Sequence, residues 1–201
     1  MSEALIIPGL TLVPNFITPA EEKDLLHCID AQPWNKELSR QTQHYGYRYV
    51  YSTRKLSPAP PIPDWLKSIH DRICTHLNLS EPFDQVIINE YHPGQGISTH
   101  TDHIALFGPV IISLSLGGGA IMEFRGDKQS NIYLQPQTLL AMQGEARYKY
   151  RHAIPSLKSD VVNNQSIPRT RRVSITFRTT KKSPTSQPTT NPSDTDRPSF
   201  F

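Results

Sequence analysis

The sequence predicts an α+β protein in which helices near the N-terminus brace a β-sandwich or barrel. Two segments before residue 80 place apolar residues at helical spacing. From residue 85 onward the pattern changes to short runs rich in β-branched residues, divided by turn residues such as Pro93-Gly94 and Gly117–Gly119. Helices followed by many short strands indicate a helical layer packed against one side of a β-structure.

The two predicted helices each have a recognisable start and an apolar face. The first begins after Thr18, because Thr18 and Glu21 form a capping box and Pro19 takes the first helical position. Its apolar face comprises Leu25, Leu26 and Ile29. The second runs from about Asp64 to Leu77, and its buried stripe comprises Trp65, Leu66, Ile69, Ile73 and Leu77. Both faces are expected to pack against the β-structure.

Seven short strands are predicted after residue 85, on the basis of their β-branched and apolar residues. They are Gln85–Tyr91, Val110–Leu116, Ile121–Phe124, Ile132–Leu134, Thr138–Met142, His152–Ile154 and Arg172–Thr179. Turn residues separate each run from the next, which is typical of a sandwich or barrel.

The length of 201 residues suits one domain, which we predict over residues 1–180. Residues 181–201 contain four prolines and eight Ser or Thr residues, and hold too little apolar surface to form a core. The sequence therefore predicts a disordered tail there.

Charge, cysteine content and the absence of long apolar runs argue against a disulfide-bonded, secreted or membrane-spanning protein. The formal net charge of +3 is compatible with a nucleic-acid partner but does not require one. Cys28 and Cys74 fit neither a disulfide framework nor a metal pair, so we expect reduced thiols and a cytoplasmic location, or a nuclear one in a eukaryote. The first residues do not resemble a secretory signal, and no apolar run is long enough to span a membrane. We expect a monomer with no membrane partner.

The tripeptide His100-Thr101-Asp102 is the clearest candidate for a metal site. In an extended segment residues two apart point to the same side, so the imidazole and the carboxylate can meet one ion. His152, on a later predicted strand, could supply a third ligand from the opposite side. Two histidines and one carboxylate leave coordination sites open, as Fe(II) enzymes need for a chelating cosubstrate and oxygen. The tripeptide by itself is common, and becomes specific only through the residues around it.

The last predicted strand places two arginines on one face. Val173, Ile175 and Phe177 point one way, and Arg172, Ser174, Thr176 and Arg178 point the other. Inside a barrel these charges are costly unless they are paired, and a dicarboxylate such as 2-oxoglutarate could pair them. Asn89 and Tyr91 share one face of the strand that enters the metal loop. The alternative is a solvent-facing strand with surface arginines.

Taken together, these motifs resemble the AlkB family of Fe(II)- and 2-oxoglutarate-dependent dioxygenases. The elements that carry the resemblance are Asn89-x-Tyr91-x-Pro93-Gly94, His100-x-Asp102, His152 and Arg172-x-Ser174-x-Thr176-x-Arg178, in that order. It is strong over residues 85–180, and continues weakly through His44-Tyr45-Gly46-Tyr47, which is similar to the family's substrate lid. Four motifs in order are far more specific than any one of them.

The resemblance implies a double-stranded β-helix (jelly roll) with N-terminal helices, and Fe(II), 2-oxoglutarate and O2 as reactants. It implies that His100, Asp102 and His152 bind iron. It further implies that 2-oxoglutarate is bound by Asn89, Tyr91, Arg172, Ser174 and Arg178, with Arg172 at the distal carboxylate. The chain departs from the founding bacterial members at Ser174, where they have Asn, and at Ile104, where they have an acidic residue. At Ser174 and in the Pro93–Gly96 turn, the chain is more similar to a branch of the family that modifies wobble uridines of tRNA.

The function implied is oxidative demethylation or hydroxylation of alkylated nucleic-acid bases, in DNA repair or in RNA and tRNA modification. Residues 39–55 are basic, and tyrosines alternate at 45, 47, 49 and 51, so a strand there is expected to show four phenols on one face. A second basic and aromatic stretch, residues 147–151, precedes His152. The predicted substrate-binding residues are Tyr45, Tyr47, Arg48 and Arg147.

Three alternatives stay open from the sequence. The tyrosines could be half-buried on the core with the cations as a solvated face. The same chemistry could act on a protein side chain. The fold could also be a non-catalytic jelly-roll binding module with a structural metal, although intact metal and cosubstrate motifs argue against this.

Overall fold

A computed structural model describes residues 7–37, 39–50, 53 and 55–181. The predicted tail from residue 182 onward lies outside these residues. The described helices are α1 (Pro19–Asp30), a single 3-10 turn (Asp64–Leu66), α2 (Lys67–His76) and α3 (Gly144–Tyr148). The described strands are β1 (Leu10–Val13), β2 (Gln41–Tyr45), β3 (Tyr47–Val50), β4 (Lys55–Pro58), β5 (Gln85–Tyr91), β6 (Ile97–His100), β7 (Phe107–Gly117), β8 (Ala120–Arg125), β9 (Gln129–Leu134), β10 (Leu139–Met142), β11 (Arg151–Ile154), β12 (Ser159–Val162), β13 (Gln165–Pro168) and β14 (Arg172–Thr180).

The strands form two main antiparallel sheets, which together make the jelly roll. The larger sheet has the order β1-β10-β7-β14-β5-β2, and the smaller has the order β6-β11-β8-β9. Two hairpin ribbons, β3-β4 and β12-β13, complete the strands. A core cluster joins the facing surfaces of the sheets: Ile111 and Leu140 of the larger pack with Met122, Phe124 and Ile154 of the smaller. None of the described helices is both long and apolar enough to cross a bilayer.

The N-terminal helices cover the outer face of the larger sheet, as the sequence predicts. The capping box at the start of α1 is present: Thr18 Oγ1 accepts from the Glu21 amide at 3.2 Å, and Glu21 accepts from the Thr18 amide at 2.8 Å. Such a cap stabilises a helix by about 1 kcal/mol. Leu25 of α1 and Ile69 of α2 belong to the second core cluster, which includes the outward apolar side chains of the large sheet. This layer keeps the large sheet fixed behind the site.

Strand β14 divides its residues between two environments. Val173, Ile175 and Phe177 are completely buried in the helix-side core. The alternate residues face the space between the sheets, and among them Arg172 is only 3% exposed. The solvent-facing alternative for this strand is therefore wrong, because its arginines lie in the interior of the jelly roll.

The predicted strands are all present, with boundaries that differ by a few residues. Strand β5 matches its prediction, whereas β7 is longer at both ends because its pairing with β14 extends from Phe107 to Gly117. The sequence did not predict β1, β4, β6, β12 and β13. These are short strands at sheet edges or in a ribbon, where pairing with a partner compensates for weak intrinsic preference.

The four tyrosines of residues 45–51 do not share one face, which corrects the sequence expectation. Gly46 interrupts the strand with φ +72°, and a Cβ there would lie 1.9 Å from the carbonyl oxygen of Asp84. Tyr45 therefore ends β2 pointing into the helix-side core, where it is 8% exposed and packs edge-on against Trp65 at 6.3 Å. Tyr51 lies outside the described residues.

Candidate active site

Two paired strands bring the predicted histidine ligands together. His100 ends β6 directly opposite His152 of β11 in the antiparallel register, and their ring centroids are 4.4 Å apart. Asp102 follows β6, and its carboxylate lies beside the two imidazoles. One ligand atom from each of the three residues lies within 4.8 Å of the others. A set of two imidazoles and one carboxylate suits Fe(II) and leaves open coordination positions, so the residues fit this metal.

Asp102 is held as an anion although it is buried. Its Oδ1 lies 2.5 Å from Arg178 Nη2, and its Oδ2 lies 3.7 Å from His152 Nε2. Burial alone would raise the pKa of this carboxyl, but attraction by Arg178 and then by the two histidines outweighs it and brings the pKa to about 2. The ligand is thus ionised at neutral pH, as metal binding requires.

The two histidines are arranged to offer lone pairs. His100 Nδ1 is 2.8 Å from the carbonyl oxygen of Ser98, which assigns the proton to Nδ1 and leaves Nε2 as the ligand atom. Burial lowers the pKa of His152 to about 4, against the opposing attraction of Asp102. His152 is therefore neutral at physiological pH and able to coordinate a metal ion.

Arg147 lies behind the metal loop, so its predicted contact with substrate is corrected. It is 2% exposed, and it donates from Nη1 to the Asp102 carbonyl at 2.9 Å and from Nε to the Gly108 carbonyl at 3.3 Å. The short helix α3 turns the side chain inward, a turn that the basic sequence around it did not reveal. Arg147 instead fixes the backbone that carries Asp102.

Arg172 is a buried cation whose guanidinium is only partly satisfied. Its Nη2 donates to Ser115 Oγ at 3.0 Å, whereas Nε and Nη1 have no partner among the described residues. The guanidinium carbon lies 5.6 Å from the centre of the Tyr91 ring. Burial lowers the pKa of Arg172 below its ordinary value. A buried guanidinium with two free donors is costly unless an anion joins it, so this position fits a carboxylate of 2-oxoglutarate.

The other predicted cosubstrate residues lie along the same inner face. Asn89 Oδ1 accepts from Arg40 Nε at 2.9 Å, and Ser174 Oγ is hydrogen-bonded to Ser113 Oγ at 2.9 Å. Arg178 forms an ion pair with Asp102 at the metal end of the site, and Arg172 lies at the other end. The two arginines of the motif therefore serve different ends of the site.

A cavity of about 420 Å³ opens beside the metal cluster. It is lined by His100 and Asp102, by Asn89 and Arg178, and by residues before and within the first ribbon: Arg40, His44 and Tyr49. A larger cavity of about 640 Å³ is lined by residues 79–84, 108–110 and 179–181 and contains none of the metal cluster. The chemistry of the ligand set therefore identifies the smaller cavity as the candidate active site.

The substrate side of the cavity differs in part from the sequence prediction. Tyr47 and Arg48 lie half-buried on β3, and Arg48 forms an ion pair with Glu37. Tyr49 of the same strand lines the cavity, with its ring centroid 6.1 Å from that of His103. Arg40 and His44 line it as well, although the sequence reasoning did not select them. Alternation along β2, which sends Tyr45 to the core and His44 to the interior, is the signal that could have found His44.

Comparison with known proteins agrees with this fold. The family model described as the 2OG-Fe(II) oxygenase superfamily matches residues 28–178. The chain belongs to this superfamily, and is therefore a 2-oxoglutarate- and Fe(II)-dependent dioxygenase. Within the superfamily it is AlkB-like. Its relatives include the Arabidopsis thaliana "Alkylated DNA repair protein ALKBH8 homolog", 38% identical over 90% of this chain and 61% of that one.

Other relatives differ in length and in the activity that their names give. An uncharacterized protein, L905, of Acanthamoeba polyphaga mimivirus is 37% identical over 89% of this chain and 88% of its own. The Xenopus tropicalis "tRNA (carboxymethyluridine(34)-5-O)-methyltransferase alkbh8" is 34% identical over 88% of this chain but only 32% of its own. The solved structure of OsALKBH1 superposes with a TM-score of 0.61 at 19% identity, covering 87% of this chain and 98% of that one. This last likeness shows the shared fold.

Proposed function

We propose that this dioxygenase oxidatively demethylates or hydroxylates alkylated nucleic-acid bases. The observation that carries the proposal is the metal cluster of His100, Asp102 and His152, of which His100 and Asp102 line a cavity that also has aromatic and cationic walls. Unpaired bases are bound by stacking surfaces and cations of this kind. The names of two relatives refer to alkylated DNA and to tRNA, which supports the same class of substrate.

In the proposed reaction His100, Asp102 and His152 hold Fe(II). When bound there with 2-oxoglutarate and O2, the iron would supply the chemistry for inserting one oxygen atom into a C–H bond, and 2-oxoglutarate would become succinate and carbon dioxide. An N-methyl group hydroxylated in this way leaves as formaldehyde. The remaining steps concern binding and orientation, so no side chain is needed as a strong acid or base.

The polar side chains around the metal have separate roles in this proposal. Arg172 binds the distal carboxylate of 2-oxoglutarate with its two free donors, beside the ring of Tyr91. Ser174 and Asn89, which are paired in register on β14 and β5, lie between Arg172 and Arg178 along the strands. Arg178 keeps Asp102 charged and oriented through their 2.5 Å contact.

The first ribbon is the proposed contact with the substrate backbone. Tyr47 and Arg48 are both partly exposed on β3, where a phosphate could meet them. Tyr49 of the same strand faces the cavity and would stack on the base.

We also propose that the enzyme acts as a monomer in the cytoplasm. The metal cluster, its cavity and Arg172 all come from one chain, so the site needs no residue from a second copy. Cys28 and Cys74 are both free thiols, which fits a reducing compartment. Light scattering on the purified protein measures the first point directly.

The test uses DNA and RNA oligonucleotides of one sequence that carry methylated bases, with Fe(II), 2-oxoglutarate and air. Mass spectrometry of the bases, with formaldehyde and succinate assays, should show product from at least one strand and none with Asp102→Ala. If only methylated protein is turned over, the nucleic-acid proposal is wrong and the protein side chain is the substrate.

A further inference from the structure

The side chain of Arg40 brings an uncompensated positive charge to the active-site cavity. Arg40 is 9% exposed and lines the cavity, and its one hydrogen bond runs from Nε to the neutral amide of Asn89. Among the described residues no carboxylate forms an ion pair with it. The terminal nitrogens of this guanidinium are therefore available to a ligand, and its charge acts on whatever enters the cavity.

No other described residue in the cavity wall cancels that charge. Asp102 is the single carboxylate among the described lining residues, and it already contacts Arg178. His44, which follows Arg40 on the same wall, carries no opposite charge. Burial, followed by repulsion from Arg48 and Arg178, lowers the pKa of His44 to about 4, so it is neutral at physiological pH.

The charge remains positive when the site is loaded. Fe(II) and the two carboxylates of 2-oxoglutarate cancel each other, which leaves Arg40, Arg172 and Arg178 against Asp102. A unit positive charge about 6 Å from Arg40, at an effective dielectric constant of about 20, would be disfavoured roughly a hundredfold. A neutral base avoids this penalty, and a base with an anionic group gains from it.

We propose that Arg40 determines substrate choice, so that this enzyme accepts bases whose modification is neutral or anionic and rejects bases whose methylation leaves a positive charge. The inference rests on the proposed function. Methylation at N1 of adenine or N3 of cytosine gives a cation, whereas N6-methyladenine is neutral and a carboxylate-bearing pyrimidine is anionic. The free guanidinium nitrogens would donate to a carbonyl or carboxylate oxygen of an accepted base.

The experiment compares three single strands of one sequence, which differ only in a central 1-methyladenine, N6-methyladenine or 5-carboxymethyluracil. Binding to the Fe(II)- and 2-oxoglutarate-loaded enzyme is measured without oxygen by fluorescence anisotropy, and turnover with oxygen by mass spectrometry. We expect the cationic base to be at least about tenfold worse than the better of the other two in both measurements. Arg40→Gln should reduce that ratio, Arg40→Glu should reverse it, and Arg40→Lys should preserve it.

Arg72→Gln is the matched control, because Arg72 lies on α2 behind the large sheet and pairs with Glu21 there. Its preference should equal that of the unchanged enzyme. If the unchanged enzyme prefers the cationic base, or if Arg40→Gln leaves the ratio unaltered, the inference is overturned while the proposed function stands. If none of the strands binds or reacts, the proposed function itself fails and this inference falls with it. Should the variants not fold, the ratio measured on the unchanged enzyme decides.

Discussion

Replacing Arg172 by methionine tests the cosubstrate site most directly. In the structure this guanidinium is 3% exposed and keeps two donors without partners among the described residues. Each charge-assisted hydrogen bond to a carboxylate contributes about 1.5–3 kcal/mol. Losing two of them should weaken 2-oxoglutarate binding by about 3–6 kcal/mol, or roughly two to four orders of magnitude in Kd.

The same substitution should have little effect on folding. Methionine removes a buried charge that lacks a counter-ion, which is favourable, and leaves Ser115 Oγ without one donor, which costs about 1 kcal/mol. We therefore expect the free energy of unfolding of the cosubstrate-free protein to change by no more than about 1 kcal/mol. A large loss of binding with unchanged stability would separate a ligand contact from a structural one.

Isothermal titration calorimetry without oxygen, with Mn(II) in place of Fe(II), measures the binding. Pyruvate is the control ligand, because it keeps the metal-chelating keto acid but has no distal carboxylate. Arg172→Met should bind pyruvate as the unchanged enzyme does and lose its preference for 2-oxoglutarate. If both ligands weaken equally, or if 2-oxoglutarate binding is unaltered, the assignment of Arg172 is refuted.

Three further predictions follow from the site. Asp102→Ala should abolish Fe(II) binding and turnover, which metal analysis and succinate assays measure; retained iron would contradict the ligand set. Arg147→Met should lower the free energy of unfolding by about 2–4 kcal/mol, measured in urea, because it strips donors from the buried carbonyls of Asp102 and Gly108; an unchanged midpoint would exclude its anchoring role. The metal-free protein should lose stability as the pH falls from 6.5 to about 4, because the folded pKa of both His44 and His152 is lowered to about 4 while the unfolded chain takes up protons from 6.5 downward; flat thermal midpoints across that range would contradict these pKa values.

Much of the catalytic half of the molecule could be predicted from the sequence, because alternation along a strand is a local property. Apolar and polar side chains alternate along residues 172–178, which predicts two faces. The structure places the apolar face in the helix-side core and the arginines between the two sheets. The spacing of His100 and Asp102 likewise brings both to one side. The position of His152 opposite them depends on long-range strand pairing. The order of the motifs indicated this position, whereas the residues around His152 did not.

The substrate side of the cavity was harder to predict, because it depends on one change in the direction of the backbone, at Gly46. Gly46 takes a left-handed conformation where the backbone of Asp84 leaves no room for a Cβ, and this breaks the alternation that the tyrosines suggest. Tyr45 consequently faces the core while His44 faces the cavity. The burial of Arg147 depends on the short helix α3, whose five residues leave too brief a pattern to reveal which side faces inward.

Among the described residues four arginines are buried, and their partners indicate where a ligand charge would be bound. Arg169 is neutralised by a bidentate ion pair with Asp160, at 2.6 and 2.7 Å, and Arg147 is held by two backbone carbonyls. Arg40 and Arg172 differ from these two, because each has a single neutral side chain as its hydrogen-bond partner among the described residues. Since an uncompensated buried cation is costly, the anions that complete these two positions should stabilise the folded protein as they bind. Thermal unfolding should therefore shift upward with 2-oxoglutarate through Arg172, and the shift should vanish in Arg172→Met while it persists in Arg40→Gln.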